Sequence, residues 1–243
     1  MNVPPAEGRG GVATLDLGVI GNGSIGALID ARGRVVWCCL PSFDDDPVFC
    51  SLLSPTLGDC GYFDLALDGE NASTQRYLEN SAVLLTRLDA ADGSAVEICD
   101  FAPRFRQHGR IFHPMSIVRT IRPLAGAPRI TLRLRPLAGY GARRPERTFG
   151  SNHLRFLLDD LVLRATTDAP LPMLRDELPF LLDREIHIVL GPDETLATAP
   201  DAWVREALTG TLDYWHEWVR FLSIPAEWQD AVIRAAITLK LCQ

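Results

Sequence analysis

Ile130-Thr131-Leu132-Arg133-Leu134-Arg135 alternates strictly, with Ile130, Leu132 and Leu134 on one side and Thr131, Arg133 and Arg135 on the other. Side chains on a β-strand point to opposite faces in turn, so this stretch predicts a strand with one buried and one wet face. Its neighbours obey the same grammar. Met115–Ile121 precedes it across a turn region at Pro123–Pro128, and Ala82–Leu88 and Ser94–Phe101 flank Asp89-Ala90-Ala91-Asp92-Gly93, a hairpin connection. Tyr62–Leu67 alternates and then meets Asp68-Gly69. Ile25–Asp30 and Arg34–Cys38 flank Ala31-Arg32-Gly33, with glycine where a positive φ is convenient. Downstream, His153–Leu158 and Leu161–Thr167 flank Asp159-Asp160, and Ile186–Leu190 ends the series. Short strands at this spacing, without helical periodicity between them, predict a mainly β fold: an antiparallel β-sandwich of two sizeable sheets.

The pattern changes near Pro200. Asp201 is placed to cap a helix whose apolar positions, Val204, Leu208, Leu212, Trp215, Val219 and Leu222, fall three or four apart. Ser223-Ile224-Pro225 interrupts it. A second helix is expected from about Ala226, with Trp228, Val232, Ala235, Ala236 and Leu239 on a common side. Ile237 and Leu241 make it apolar nearly all round, which suits a helix inside something larger. It runs to Gln243 without a stop signal, so the expectation is a chain that ends within a domain. The expected organisation is a loose tail at 1–13, a sandwich at 14–198, and a helical linker with the start of a further domain at 199–243.

Composition narrows the function classes. With 47% hydrophobic residues, the 243-residue chain can bury a sizeable core. A net charge of -7 argues against a general nucleic-acid binder, and the richest basic stretch, Arg143, Arg144 and Arg147, reads as a solvated loop. No apolar run is long enough to span a bilayer, and Met1–Gly11 lacks the apolar core of a signal peptide, so a cytoplasmic protein is expected. Cys38, Cys39, Cys50, Cys60, Cys99 and Cys242 do not form the paired elements of a zinc site and read as free thiols. Gly21-Asn22-Gly23-Ser24-Ile25-Gly26 spells a dinucleotide loop, but a hairpin rather than a helix follows it, so turn glycines are expected and no cofactor. The histidines do not cluster for a metal or a triad. Glu97 and Asp100 stand an odd number of positions apart and should face opposite sides of a sheet, which discounts them as an acid–base pair.

Several segments, in order, resemble one family. Asp16 to Asp30, containing Ile20-Gly21-Asn22-Gly23 and Gly26-Ala27-Leu28-Ile29-Asp30, is similar to the opening of bacterial glycoside hydrolase family 15 proteins, the glucoamylase and trehalase group. Gly33 to Phe49 resembles that family's next stretch, around Trp37, Pro41 and Phe43-Asp44. Gln75-Arg76-Tyr77-Leu78, Asp100-Phe101-Ala102-Pro103-Arg104 and Gly150-Ser151-Asn152-His153 fit later signatures, and Tyr214 to Leu241 resembles the linker and the first helix of the family's barrel. The resemblance implies a super-sandwich preceding a C-terminal (α/α)6 barrel that hydrolyses α-glucosidic bonds with inversion. It implies no catalytic residue here, because both catalytic glutamates follow the last residue that matches. The implied partners are that barrel and an α-glucoside or trehalose, with self-association through the tail helices, and with neither nucleic acid nor membrane.

One loop could still touch sugar. Trp37, Phe43, Asp44, Asp45 and Asp46 combine aromatic faces for apolar C–H patches with carboxylates that accept hydroxyl protons. The commoner use of such residues is a turn, the aspartates capping backbone amides before a helical turn at Val48–Leu53. Three consecutive carboxylates lack the alternating spacing of a calcium loop, so no metal is expected. The alternative to an accessory domain is a stand-alone carbohydrate-binding or protein-interaction sandwich, which would need an exposed aromatic strip on one sheet.

Overall fold

A computed structural model describes residues 15–53, 60–224 and 227–242. The expected tail at 1–13 and the expected helix start at Ala226 lie outside these residues. The strands are β1 (Gly18–Gly21), β2 (Gly26–Ile29), β3 (Val35–Cys39), β4 (Pro47–Phe49), β5 (Tyr62–Leu67), β6 (Glu70–Tyr77), β7 (Leu84–Ala90), β8 (Ala95–Phe101), β9 (Phe105–Gln107), β10 (Arg110–Phe112), β11 (Ile117–Ala125), β12 (Arg129–Arg135), β13 (Glu146–Phe149), β14 (His153–Leu157) and β15 (Val162–Thr167). A short helix α1 (Leu171–Asp176), β16 (Phe180–Leu181) and β17 (Ile186–Pro192) follow, then the helices α2 (Pro200–Arg220) and α3 (Gln229–Leu241). A smaller sheet runs β1-β2-β3-β5-β12-β16 with β4 on β3, and a larger one runs β13-β14-β15-β17-β11-β8-β7-β6. The expected antiparallel β-sandwich with two C-terminal helices is the architecture found.

The alternation read in β12 is real: Ile130, Leu132 and Leu134 are buried between the sheets, while Arg133 lies on the outer face and makes two bonds of 2.9 and 2.8 Å to Asp64, its cross-strand neighbour on β5. Ile98, Ile121, Phe156, Leu163 and Ile188 of the larger sheet meet them from the other side. The Ala31-Arg32-Gly33 turn sits close against that sheet. Gly33 has φ +78, and a Cβ there would come within 3.0 Å of Ile98 Cδ1. Glycine therefore serves both the left-handed backbone and the approach of the two sheets.

One polar strut crosses the core. Arg119 on β11 is fully buried, donates to both carboxylate oxygens of Asp100 on β8 at 2.8 and 3.0 Å, and reaches across to the Gly33 carbonyl at 2.6 Å. Its guanidinium lies 4.4 Å from the Phe63 ring centroid. Burial pushes the Asp100 carboxyl upward, and the adjacent guanidinium opposes that shift. Glu97 points the other way and pairs with Arg122 at 2.6 Å, as the odd separation predicts.

Helix α2 lies on the outer face of the larger sheet, with Val204 and Ala207 against Val83, Phe101, Val118 and Val189. Gly210 permits this where β9 passes over the helix, since a Cβ there would meet Phe105 Cβ at 2.9 Å. Helix α3 packs Ile233, Ile237 and Leu241 against Ala82, Tyr214 and Trp215.

Several local expectations are corrected. The N-cap of α2 is Ala199 with Pro200 opening the helix; Asp201 sits in the first turn and reaches Arg205 at 3.3 Å instead of capping. Proline supplies the helical φ at the first position, so the helix opens one residue before Asp201. Helix α3 starts at Gln229, and its buried stripe is Ile233, Ile237 and Leu241, not the side bearing Val232 and Leu239, which are exposed. With apolar residues on both sides, the pattern could not fix the rotation. Trp228 precedes the helix in a left-handed conformation and is exposed. Val48–Leu53 contains strand β4 and a turn, not a helical turn, because Cys38 and Cys39 on β3 offer it a pairing edge.

Candidate functional site

The loop after β3 turns on its own side chains. Following a cis peptide at Leu40–Pro41, Asp45 accepts from the Ser42 amide at 3.0 Å and from the Ser42 hydroxyl at 2.5 Å. Asp46 accepts from the Tyr140 amide at 2.8 Å, tying the loop to the turn after β12. Asp45 and Asp46 therefore organise backbone, as the turn reading anticipated. Asp44 is exposed and accepts from the Ser42 hydroxyl at 2.6 Å, a bond that lowers its pKa below the usual carboxylate value. Phe43 is partly exposed and lays its ring on Gly26, where a Cβ would come within 2.7 Å of Cε1.

Trp37 is separated from this group by its packing: it lies against Cys50, Cys60 and Leu137. The loop does bring in an aromatic that sequence reasoning passed over, Tyr140, which is exposed with φ +56. The only sequence signal for it was Ala138-Gly139-Tyr140-Gly141, an aromatic between two turn glycines. Phe43, Asp44 and Tyr140 thus present two aromatic rings and a carboxylate on neighbouring turns, groups suited to sugar contact. Burial raises the Cys39 and Cys50 thiols, and nearby aspartates add to it, so neither is an activated nucleophile. Among the described residues, no group of three His, Cys, Asp or Glu is arranged to hold a metal ion.

The glycine-rich turn lies next to this loop, because Gly26 carries the Phe43 ring. Asn22 is its hub. Its amide donates to the Pro103 and Pro114 carbonyls at 3.1 and 2.8 Å, and its Oδ1 accepts from the Ser24 and Ile25 amides at 3.0 and 3.2 Å. The Asn22 carbonyl accepts from Arg104, whose guanidinium lies 5.0 Å from the Tyr214 ring centroid. A Cβ on Gly21 would stand 3.6 Å from Leu241 Cβ, so the end of α3 crosses the same turn. Two of the sequence segments singled out above, the Gly-Asn-Gly turn and Asp100–Arg104, therefore meet here through Asn22 and Arg104. Both join the sandwich to its helices.

A family model described as "Trehalase-like, N-terminal" matches residues 8–166. The trehalase of Thermoplasma volcanium is 26% identical over 237 residues, covering 92% of this chain and 36% of that protein. The trehalase of Thermoplasma acidophilum is 26% identical over 227 residues, 88% of this chain and 37% of that protein. "Trehalase 2" of Sulfolobus acidocaldarius is 29% identical over 127 residues, 52% of this chain and 19% of that protein. The chain thus spans little more than a third of the length of the first two curated relatives. A solved structure of an active YidC insertase aligns over 94% of this chain and 50% of that chain, at a TM-score of 0.43 and 10% identity.

Proposed function

This chain belongs to the trehalase-like N-terminal family, and we propose that it works as the accessory β-sandwich of a longer glycoside hydrolase of the glucoamylase and trehalase group, glycoside hydrolase family 15. In this reading residues 14–198 form the sandwich, and 199–243 form a helical linker and the first helix of an (α/α)6 barrel. The barrel supplies the two catalytic glutamates, which hydrolyse an α-glucosidic bond, as in trehalose or malto-oligosaccharides, with inversion. The sandwich covers apolar barrel surface, and Phe43, Asp44 and Tyr140 form part of one wall of the substrate cleft.

Beyond the family match, one observation carries this reading. The end of the molecule bearing α3 leaves Phe221, Trp228, Val232 and Leu239 exposed. An apolar surface of this kind on the helix that follows the sandwich is suited to burial against further helices. The free state of all six cysteines fits a reducing, cytoplasmic setting. Among the described residues no helix is long and apolar enough to cross a membrane.

The test compares the purified 243-residue chain with the longer protein. The longer protein should release glucose from trehalose or maltose, and the short chain should release none; turnover by the short chain alone would sink the proposal. In the longer protein, Phe43→Ala should raise KM severalfold with little change in kcat, since a stacking contact made equally in ground and transition states affects binding alone. An unchanged KM would remove the loop from the cleft. The short chain should also self-associate through its exposed helix face, and Leu239→Glu should return it to a monomer.

A further inference from the structure

A cavity of about 640 Å³ opens at one edge of the sandwich, where both sheets contribute to its lining. Leu134 on β12 of the smaller sheet and Phe156 on β14 of the larger one line it from the core side. Arg175, Asp176 and Glu177, at the C-terminal end of α1, line it as well. So do Arg144 and Arg147, the second of them on β13, the edge strand of the larger sheet. The cavity shares no lining residue with the Phe43–Asp46 loop.

An arginine stands here at a position whose register belongs to the core. Arg147 is the cross-strand partner of Phe156, as Phe149 is of Leu154. Cross-strand partners share a face of the sheet, and Phe156 and Leu154 are buried in the core between the sheets. Arg147 therefore projects from the inner face of its strand into the cavity. The basic stretch that the sequence presents as one solvated loop is divided: Arg143 pairs with Asp159 and does not line the cavity, whereas Arg144 and Arg147 do. The charges on the lining are also unevenly matched. Glu177 accepts from Arg135 at 2.8 and 3.1 Å, and Asp176 from Arg175 at 2.8 and 2.5 Å. Among the described residues, neither Arg144 nor Arg147 has a carboxylate within salt-bridge distance; Arg147 donates one N–H to the Arg175 carbonyl at 3.4 Å.

Two guanidiniums without a countercharge, lining one cavity, select for an anion. A cation is repelled, and an uncharged molecule leaves both charges unmatched. A carboxylate brings one charge and two acceptor oxygens. A phosphomonoester brings a charge of about −1.5 to −2 at neutral pH and three acceptor oxygens, enough for both forks. The cavity is within the size range of small-molecule sites, so it has room for an organic body beside the phosphate. We propose that this cavity binds a small phosphomonoester, with Arg144 and Arg147 holding its phosphate. An inward-facing charge on an edge strand can also serve to block pairing with another chain. That role would account for Arg147 but not for Arg144, which precedes the strand. The inference stands on this lining and does not depend on the role assigned to the loop or to a barrel.

Calorimetric titration of the 243-residue chain tests it, with glucose 6-phosphate as the probe and glucose 6-sulfate as a counterpart of the same shape and one charge. Glucose 6-phosphate should bind saturably with a Kd on the order of millimolar or tighter, and glucose 6-sulfate about fivefold or more weakly. Arg144→Gln and Arg147→Gln should each weaken binding of the phosphate ester about fivefold or more, and together abolish it. Both side chains are exposed and lack an ion pair, so the melting temperature should not change. Arg143→Gln, next in sequence but outside the cavity, should leave the affinity as it was. No saturable binding of glucose 6-phosphate, equal affinity for the sulfate ester, or an equal loss in Arg143→Gln would each overturn the proposal. So would an Arg147→Gln chain that keeps its affinity and aggregates, since the arginine would then serve only to guard the edge.

Discussion

Compare the two buried layers of the molecule. Between the sheets, Arg119, fully buried, has its carboxylate in Asp100 and accepting carbonyls at Gly33 and Phe63. Between the larger sheet and the two helices, polar groups are buried on poorer terms. Arg104 Nε, Thr120 Oγ1, Trp215 Nε1, and Arg234 Nε and Nη2 are all enclosed without a partner, and all lie on that side. Among the described residues, neither Arg104 nor Arg234 has a carboxylate within salt-bridge distance. The sandwich interior is chemically complete, whereas the helix-covered face retains unused donors and acceptors. Among the described residues, the enclosed side-chain groups without partners lie on the second side, so that layer is where buried donors and acceptors are left to be satisfied.

The largest expected effect tests the finished layer. Arg119→Met leaves Asp100 charged and alone in the core, which should cost about 3–5 kcal/mol. Thermal or urea unfolding would measure it. Combining it with Asp100→Leu removes both charges and should recover most of the loss, since a buried pair is often no better than apolar residues of similar volume. If the single variant were nearly as stable as the parent, the interior strut would be ornamental and the contrast between layers would fail.

This strut marks the limit of what the sequence reveals. Strict alternation in Ile130–Arg135 was enough to orient a strand, and strand parity was enough to send Asp100 and Glu97 to opposite faces. The partner of Asp100 stands on a separate strand, and only the fold brings Arg119 to it. Glu70–Tyr77 went unread as a strand because it is an edge strand on β7 with one apolar-side neighbour, so its residues carry polar side chains and little alternating hydrophobicity. The Asp44–Asp46 turn could be weighed from composition, but Tyr140 is about a hundred residues away and joins it only through Asp46. Thr120 was invisible for a different reason: a threonine in a strand is ordinary, and its missing partner is a property of packing alone.

A middle-sized effect belongs to the edge of the helix-covered layer. Burial alone would lower the His187 pKa, but the hydrogen bond and charge of Asp168, with Glu185, outweigh it and hold the group above its ordinary value of 6.5. Asp168 has the reverse balance and lies below its ordinary value of 3.8. Arg184 stands 3.7 Å from Asp168, and Arg205 and Asp201 on α2 line one cavity with His187. A raised histidine contributes stability that is complete below its unfolded pKa and is lost as pH rises through the folded one. A lowered aspartate contributes stability above its unfolded pKa, lost as pH falls through the folded one. The pair therefore supports the fold most between those limits, and unfolding free energy should fall as pH rises past the histidine's raised value. His187→Gln should abolish that slope; a slope that persists in the variant would assign it to another group.

The smallest expected effect is the sharpest test of the comparison. Arg234 lies over the Tyr77 ring at 3.9 Å and donates to the Ser81 carbonyl at 2.8 Å, while its Nε and Nη2 have no partners. Burial lowers its pKa, a direction that says the charged form is held at a cost. Arg234→Met forfeits the ring contact and one hydrogen bond, together about 1–2 kcal/mol, and regains the cost of enclosing an uncompensated cation. These terms oppose each other, so unfolding of the 243-residue chain should change by less than about 1 kcal/mol. A loss as large as that of Arg119→Met would show that the helix-covered layer is as complete as the interior. The informative contrast comes from repeating the substitution in a longer protein of this family: if the same change is then costly, a carboxylate supplied by the added part has found the arginine that the sandwich and its two helices leave unpaired.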